Sequence, residues 1–242
     1  MSLEFLSPGT TVARGGQLPL ARSPMERAAR DAGARFDTRD GWNVAVAYGA
    51  PRDEAAAAGE SAGWADVSHL GKLELQGPPE AITALCPALE LGHATRADAA
   101  WWCALTAQRV LVICEPAALP ALRERLTEAA GTTCSVIELT SALAALTLVG
   151  PLARELFARF CALDLRPQSA PVGALRPGSV ARQPGIVVCE APDRYLMLFG
   201  WAVAQYMWTV VADAGASLGG GPVGADALAP LDAPLEEAAS SA

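Results

Sequence analysis

Leucines alternate with outward residues at two places along this chain, and both times the alternation ends in Gly-Pro. The first run is Ser68-His69-Leu70-Gly71-Lys72-Leu73-Glu74-Leu75-Gln76-Gly77-Pro78. The second, 73 residues on, is Ser141-Ala142-Leu143-Ala144-Ala145-Leu146-Thr147-Leu148-Val149-Gly150-Pro151. Alternation of period two predicts a half-buried strand, and a proline just after it suits the first turn of a helix, where its missing N–H is no loss. The helix predicted after the second copy carries Leu152, Leu156 and Phe160 on one face and Arg154, Glu155 and Arg159 on another, with Glu155 and Arg159 spaced for an i,i+4 pair. Ile82 and Leu85 take the apolar part in the first copy.

A second pair of segments matches as well. Val110-Leu111-Val112-Ile113 leads to a helix with Leu119, Leu122 and Leu126, and 85 residues later Tyr195-Leu196-Met197-Leu198 leads to a helix with Met207 and Val211. Tyr195 to Ala212 is eighteen residues without a charge, near the lower limit for a membrane-spanning helix. Gly200, Gln205 and the repeat divide it instead into a strand plus a helix. The expected fold is α+β: two β-β-α-β-α halves, about residues 66–131 and 139–216, packed about a pseudo-two-fold axis so that each covers the other's sheet face. They lie in a domain of residues 25–228, which opens with a helix near 25–34 and a turn at Asp40-Gly41-Trp42 into the alternating Val44, Val46 and Tyr48. Residues 1–24 form a preceding segment, and 229–242, rich in Ala, Pro and acid, read as a disordered tail.

The two last helices differ. Arg123, Glu124 and Arg125 on the first face water, whereas Trp208, Thr209 and Val210 hold the same positions on the second. A helix apolar nearly all round needs cover on two sides, and Trp201 and Tyr206 enlarge the demand. The cover is either the N-terminal segment or tail of this chain, or a partner chain.

Composition narrows the function. With 52% apolar and 18% charged residues, 242 residues bury a substantial core, and a net charge of −8 without a basic cluster excludes nucleic acid. Cys86, Cys103, Cys114, Cys134, Cys161 and Cys189 stand singly, as reduced core thiols of a cytoplasmic protein do. His69 and His93 are the only imidazoles, too few for a histidine-rich metal site. The first 22 residues lack the basic start and apolar run of a signal peptide. Gly219-Gly220-Gly221 lacks the Lys-Ser/Thr of a phosphate loop. Ser68 and His69 are adjacent on an extended segment and so point apart, which excludes a catalytic pair. Asp66, a lone carboxylate, braces the same turn and is the one weak candidate base.

The run Gly63-Trp64-Ala65-Asp66-Val67-Ser68-His69-Leu70-Gly71 with Gly77-Pro78, after Phe36-Asp37, Gly41-Trp42 and Tyr48, resembles the N-terminal part of the glycine-cleavage T-protein. The later stretch is similar to the gamma subunit of heterotetrameric sarcosine oxidase, through Gly150-Pro151, Cys161 to Pro167, Pro171-Val172-Gly173 and Tyr206-Met207-Trp208 before Ala212-Asp213-Ala214. Together they cover about residues 26–228.

The resemblance implies a duplicated folate-binding fold, tetrahydrofolate as possible cofactor, no metal, and one-carbon chemistry on amines. It also implies features that this chain lacks. The aspartate hairpin, Gly-Gly-x-x-Asp-Asp in T-proteins, is replaced by Trp101 to Arg109, which runs almost directly into the strand at Val110, with no carboxylate between Asp98 and Glu115. Leu196 stands where a glutamate grips the pterin, Gly224-Ala225-Asp226 lacks the family's arginine, and the C-terminal barrel domain of a full T-protein has no room. Trp102 falls at a T-protein tyrosine near the folate, and Tyr48, Tyr195 and His69 are the other candidates to line the pocket. The role so implied is a non-catalytic or weakly folate-binding subunit that meets a flavin-dependent amine oxidase or demethylase through the Trp201-Tyr206-Trp208 helix. The alternatives are a stand-alone aminomethyltransferase using Asp66, and a small binding module for another planar ligand.

Overall fold

The computed structural model describes residues 20–228. In chain order the elements are β1 (Ala21–Arg22), α1 (Glu26–Asp31), β2 (Arg35–Arg39), β3 (Trp42–Ala47), α2 (Pro51–Glu60), β4 (Gly63–Asp66), β5 (Gly71–Gln76) and α3 (Pro79–Leu85). Then come β6 (Ala94–Ala97), β7 (Ala100–Thr106), β8 (Arg109–Cys114), α4 (Leu119–Ala130), β9 (Ser135–Glu138), β10 (Leu143–Val149) and α5 (Ala153–Ala158). The chain continues through β11 (Leu175–Val180), β12 (Gln183–Ala191), β13 (Arg194–Gly200), α6 (Ala204–Ala216), β14 (Gly221–Pro222) and α7 (Ala225–Leu228). The expected tail falls outside the described residues, and no described helix is long and apolar enough to cross a membrane.

Both alternating runs form strands, β5 and β10, and each Gly-Pro opens the next helix. The glycine in that motif has a steric cause. A Cβ on Gly77 would meet the Cys134 sulfur, and one on Gly150, whose φ is +100°, would meet the carbonyl oxygens of Ala58 and Ser61. The second helix is shorter than the periodicity predicts: α5 ends at Ala158, so Leu152 caps it and Phe160 lies beyond it. The apolar eighteen-mer divides into β13 and α6.

Two mixed layers result. One sheet runs β6-β7-β8-β5-β9 and the other β11-β12-β13-β10-β4-β14, so the first five strands of each follow one order. The short strand that precedes each central strand in sequence pairs with the opposite sheet: β4 lies antiparallel to β10, and β9 antiparallel to β5. At the far edge the sheets are joined by a reciprocal pair of bonds, Ala94 N–H to Gly173 O at 2.7 Å and Leu175 N–H to Gly92 O at 2.8 Å.

Strand alternation distributes the core into three layers. Leu73, Leu75, Val110 and Val112 pack under α3 and α4. Leu146, Leu148, Met197 and Phe199 pack under α5 and α6. Leu111, Ile113, Ala145, Val188, Leu196 and Leu198 meet between the sheets, with α2 and α7 adding Ala58, Ala227 and Leu228. The small sheet β1-β3-β2 and α1 lie beside α6. They supply the cover that α6 demands: Trp208 is only 6% exposed and stacks near Tyr48 at 6.4 Å, and Trp201 rests on Trp42 at 6.3 Å. Tyr206 alone of the three aromatics stays open, at 47%.

Candidate functional site

Val67 to Leu70 carry the chain from β4 in one sheet to β5 in the other. Such a crossing exposes backbone groups that no ladder satisfies, and side chains take them up. Ser68 is wholly buried; its hydroxyl accepts the Ala145 N–H at 3.2 Å, while the Val67 N–H reaches the Ala145 carbonyl at 3.0 Å. The Ser68 N–H donates to Asp66 Oδ1 at 3.0 Å, and the Ser23 hydroxyl donates to the same carboxylate. Lys72 is wholly buried too. Its Nζ donates to the carbonyls of Ser68 at 2.8 Å and Leu70 at 2.9 Å, and its backbone N–H to Thr140 Oγ1 at 3.2 Å. Gly71 admits this close crossing because a Cβ there would stand 2.9 Å from Leu119 Cβ and 3.0 Å from the Cys114 sulfur.

Burial sets the ionisation of the group. It pushes the Asp66 carboxyl up, against the hydrogen bonds of Ser23 and Ser68 and the attraction of Lys72. It pushes Lys72 down to about 7, against the pull of Asp66, and His69 down to about 4, helped by Lys72 and Arg39. The Tyr48 phenol is pushed up by burial and by the negative charges of Asp66 and Glu54, and its hydroxyl is buried without a partner. Glu54 holds Tyr48 in place, its Oε1 accepting the N–H groups of Tyr48 and Gly49 at 2.7 Å each and its Oε2 that of Gly224 at 2.8 Å. At neutral pH the crossing thus presents a half-buried carboxyl, a neutral imidazole, a protonated phenol and an amine near its midpoint. Such a set can exchange a proton or accept hydrogen bonds, and the Ser68 hydroxyl, committed to Ala145, is not a free nucleophile.

Of the residues expected to line a shared pocket, Tyr48 and His69 come to the crossing. Trp102 and Tyr195 do not. Trp102 packs under α3 and α4, with Nε1 donating to Ala97 O at 3.1 Å. Tyr195 packs edge-on against Phe157 under α5, its hydroxyl accepting from Arg154 Nε at 3.2 Å and donating to Pro192 O at 3.2 Å. The physical reason is strand parity: neighbours on a strand face opposite ways. It is Trp101 that turns toward the layer between the sheets, with its Nε1 buried and unpartnered and the Arg96 guanidinium 5.4 Å from its ring centroid.

Sequence reasoning missed Lys72. Opposite Leu73 and Leu75 it reads as a solvent residue, but both faces of β5 are covered. The hairpin expected to be absent is present: β6, β7 and β8 are joined by two-residue turns. Its one carboxylate, Asp98, sits in the first turn at φ +51°, faces outward and pairs with Arg125 at 3.0 Å.

The residues present do not fit a tightly held folate. Apolar side chains fill the layer between the sheets, among them Leu196, which the resemblance sets in the place of a glutamate. Two surface concavities, of about 450 and 470 Å³, lie outside that layer, one at Phe160, Arg182, Tyr206 and Val210 and one at Gly77, Pro78, Gln108 and Arg109. Among the described residues no group of three His, Cys, Asp or Glu side chains is placed to hold a metal ion.

No protein-family model matches the chain. A probable aminomethyltransferase from Halobacterium salinarum is 42% identical over 59 residues, which is 24% of this chain and 16% of that protein. An aminomethyltransferase from Streptomyces avermitilis is 26% identical over 215 residues, covering 81% of this chain and 57% of its own. The chain therefore spans less than two thirds of these curated relatives. Among solved structures, the glycine cleavage system aminomethyltransferase T from Bartonella henselae superposes with a TM-score of 0.71 at 19% identity, over 86% of this chain and 60% of that one. A chain of the heterotetrameric sarcosine oxidase from Corynebacterium sp. U-96, solved with pyrrole 2-carboxylate, superposes with a TM-score of 0.65 at 19% identity, over 82% of this chain and 96% of that one.

Proposed function

From a chain that is T-protein-like in fold and sequence, we propose a non-catalytic or weakly folate-binding subunit that works with a flavin-dependent amine oxidase or demethylase in one-carbon metabolism. The observation that carries this reading is the apolar filling between the sheets, where Leu196 stands in the place of a pterin-gripping glutamate, on a chain that superposes on a sarcosine oxidase chain with a TM-score of 0.65. The chemistry agrees, because the run from Trp101 to Arg109 carries no carboxylate where the resemblance implies an acid pair. The described residues are read as two equivalent halves. The common strand order of the sheets and the mutual exchange of β4 and β9 support that construction.

The contact surface narrows to the exposed face of α6. Trp208 and Trp201 are used within the chain, which leaves Tyr206 and Val210 with Arg159 and Arg182 around the outer concavity. Purification of a tagged copy from its own cells tests the role. The expected result is a stoichiometric flavoprotein oxidase or dehydrogenase; its absence counts against the subunit.

Asp66 favours a second reading, a short aminomethyltransferase that uses this carboxyl as its acid–base group, with Tyr48 beside it. Calorimetric titration with tetrahydrofolate separates the two. Micromolar binding that disappears in Asp66→Asn supports the enzyme, and silence supports the subunit.

A further inference from the structure

Lys72 is a wholly buried amine that neither reading uses. It has no counterpart in the other half, where Ala145 occupies the matching place on β10. The crossing from β9 to β10 manages without it, closed by the backbone bonds of Ala142 and Leu143 to Leu139 O at 2.9 and 3.0 Å. Burying an amine is costly, so one retained on only one of two matching crossings needs a cause. The second crossing carries a carboxylate at the matching place, Glu138, which has its own cation in Arg123 at 3.0 Å, whereas the cation that acts on Asp66 is Lys72.

The bonds run in series. Asp66 Oδ1 accepts the Ser68 N–H at 3.0 Å, and the carbonyl of Ser68 accepts from Lys72 Nζ at 2.8 Å. The second Nζ bond, to Leu70 O at 2.9 Å, closes the bend from the other side. We propose that Lys72 is the positioning residue for Asp66: its amine pins the crossing so that the Ser68 N–H stays aimed at the Asp66 carboxyl. The inference holds whichever ligand the site takes, because it concerns two groups of this chain.

The groups facing the pair are few. Cys114 on β8 lies near Lys72, Tyr48 near Asp66, and His69 and Arg39 near the outer end of the crossing, with Glu54 behind Tyr48. Their influence is separable from that of Lys72 by substitution. Two donors suffice for the two carbonyls, so the bend keeps its bonds in either charge state of the amine, while Asp66 feels the charge.

The test is a carbon-13 and nitrogen-15 NMR titration of the full chain, following the Asp66 carboxyl carbon and Lys72 Nζ. In the unsubstituted protein the Asp66 curve is expected to show a second inflection at the Lys72 midpoint. In Lys72→Met that inflection disappears and the Asp66 midpoint rises by about one unit or more, and Lys72→Arg brings the midpoint back down. An unmoved Asp66 midpoint in a folded Lys72→Met overturns the proposal. If that variant does not fold, an unsubstituted protein whose Asp66 curve shows no inflection at the Lys72 midpoint overturns it equally.

Discussion

Ser68 and Thr140 make the same bond on the two crossings: the Ser68 hydroxyl takes the Ala145 N–H and the Thr140 hydroxyl takes the Lys72 N–H, both at 3.2 Å. Each lies just before one central strand and accepts a backbone N–H near the start of the other, Ala145 on β10 and Lys72 on β5. The exchange of edge strands between the sheets is fastened at these two points.

Removing either hydroxyl leaves a buried N–H unpaired. Ser68→Ala and Thr140→Val are each expected to lower stability by about 1–3 kcal/mol, the cost of an unsatisfied buried donor, as measured by urea unfolding. A change below the error of that measurement in both variants removes the clasp from the account.

The two Gly-Pro glycines are not interchangeable with alanine. Gly150→Ala meets two carbonyl oxygens at a φ of +100° and is expected to cost at least about 2 kcal/mol or to prevent folding. Gly77→Ala has an ordinary φ and meets the Cys134 sulfur, with the Cβ and Cα of the same residue at 3.2 and 3.3 Å; turning that side chain aside relieves the worst contact, so the loss is smaller. Thermal unfolding of both proteins checks the order.

His69 gives the protein an acid-side sensitivity. Its pKa is depressed to about 4 in the fold from the ordinary 6.5, so its contribution to stability is complete above 6.5 and is lost as pH falls through 4. Asp66, pushed upward, works in the opposite sense. The readout is therefore a difference: the drop in Tm between pH 6.5 and pH 4 is expected to be smaller in His69→Gln than in the unsubstituted protein.

Two aromatics of α6 separate fold from contact. Trp208, 6% exposed, is part of the core, and Trp208→Ala is expected to cost about 3–5 kcal/mol. Tyr206 is 47% exposed and its hydroxyl donates to Ala181 O at 3.1 Å, so Tyr206→Phe loses at most about 1.5 kcal/mol. In the co-purification described above, Tyr206→Glu is expected to release the partner while circular dichroism stays unchanged.

The strands β5, β8, β10 and β13 and the helices after them were legible in the residues alone. Those follow from local periodicity and from glycines where no Cβ fits. Only the tertiary structure decided which face of each strand looks inward. In a sandwich covered on both sides, alternation separates two buried layers and does not separate core from solvent, so Lys72 reads as exposed and Trp102 as a pocket residue until the second layer is in place. The partnering of β4 with β10 and of β9 with β5 was likewise decided in three dimensions. Pairing of residues 59 to 86 apart depends on where the sheets meet, and no local pattern carries that information.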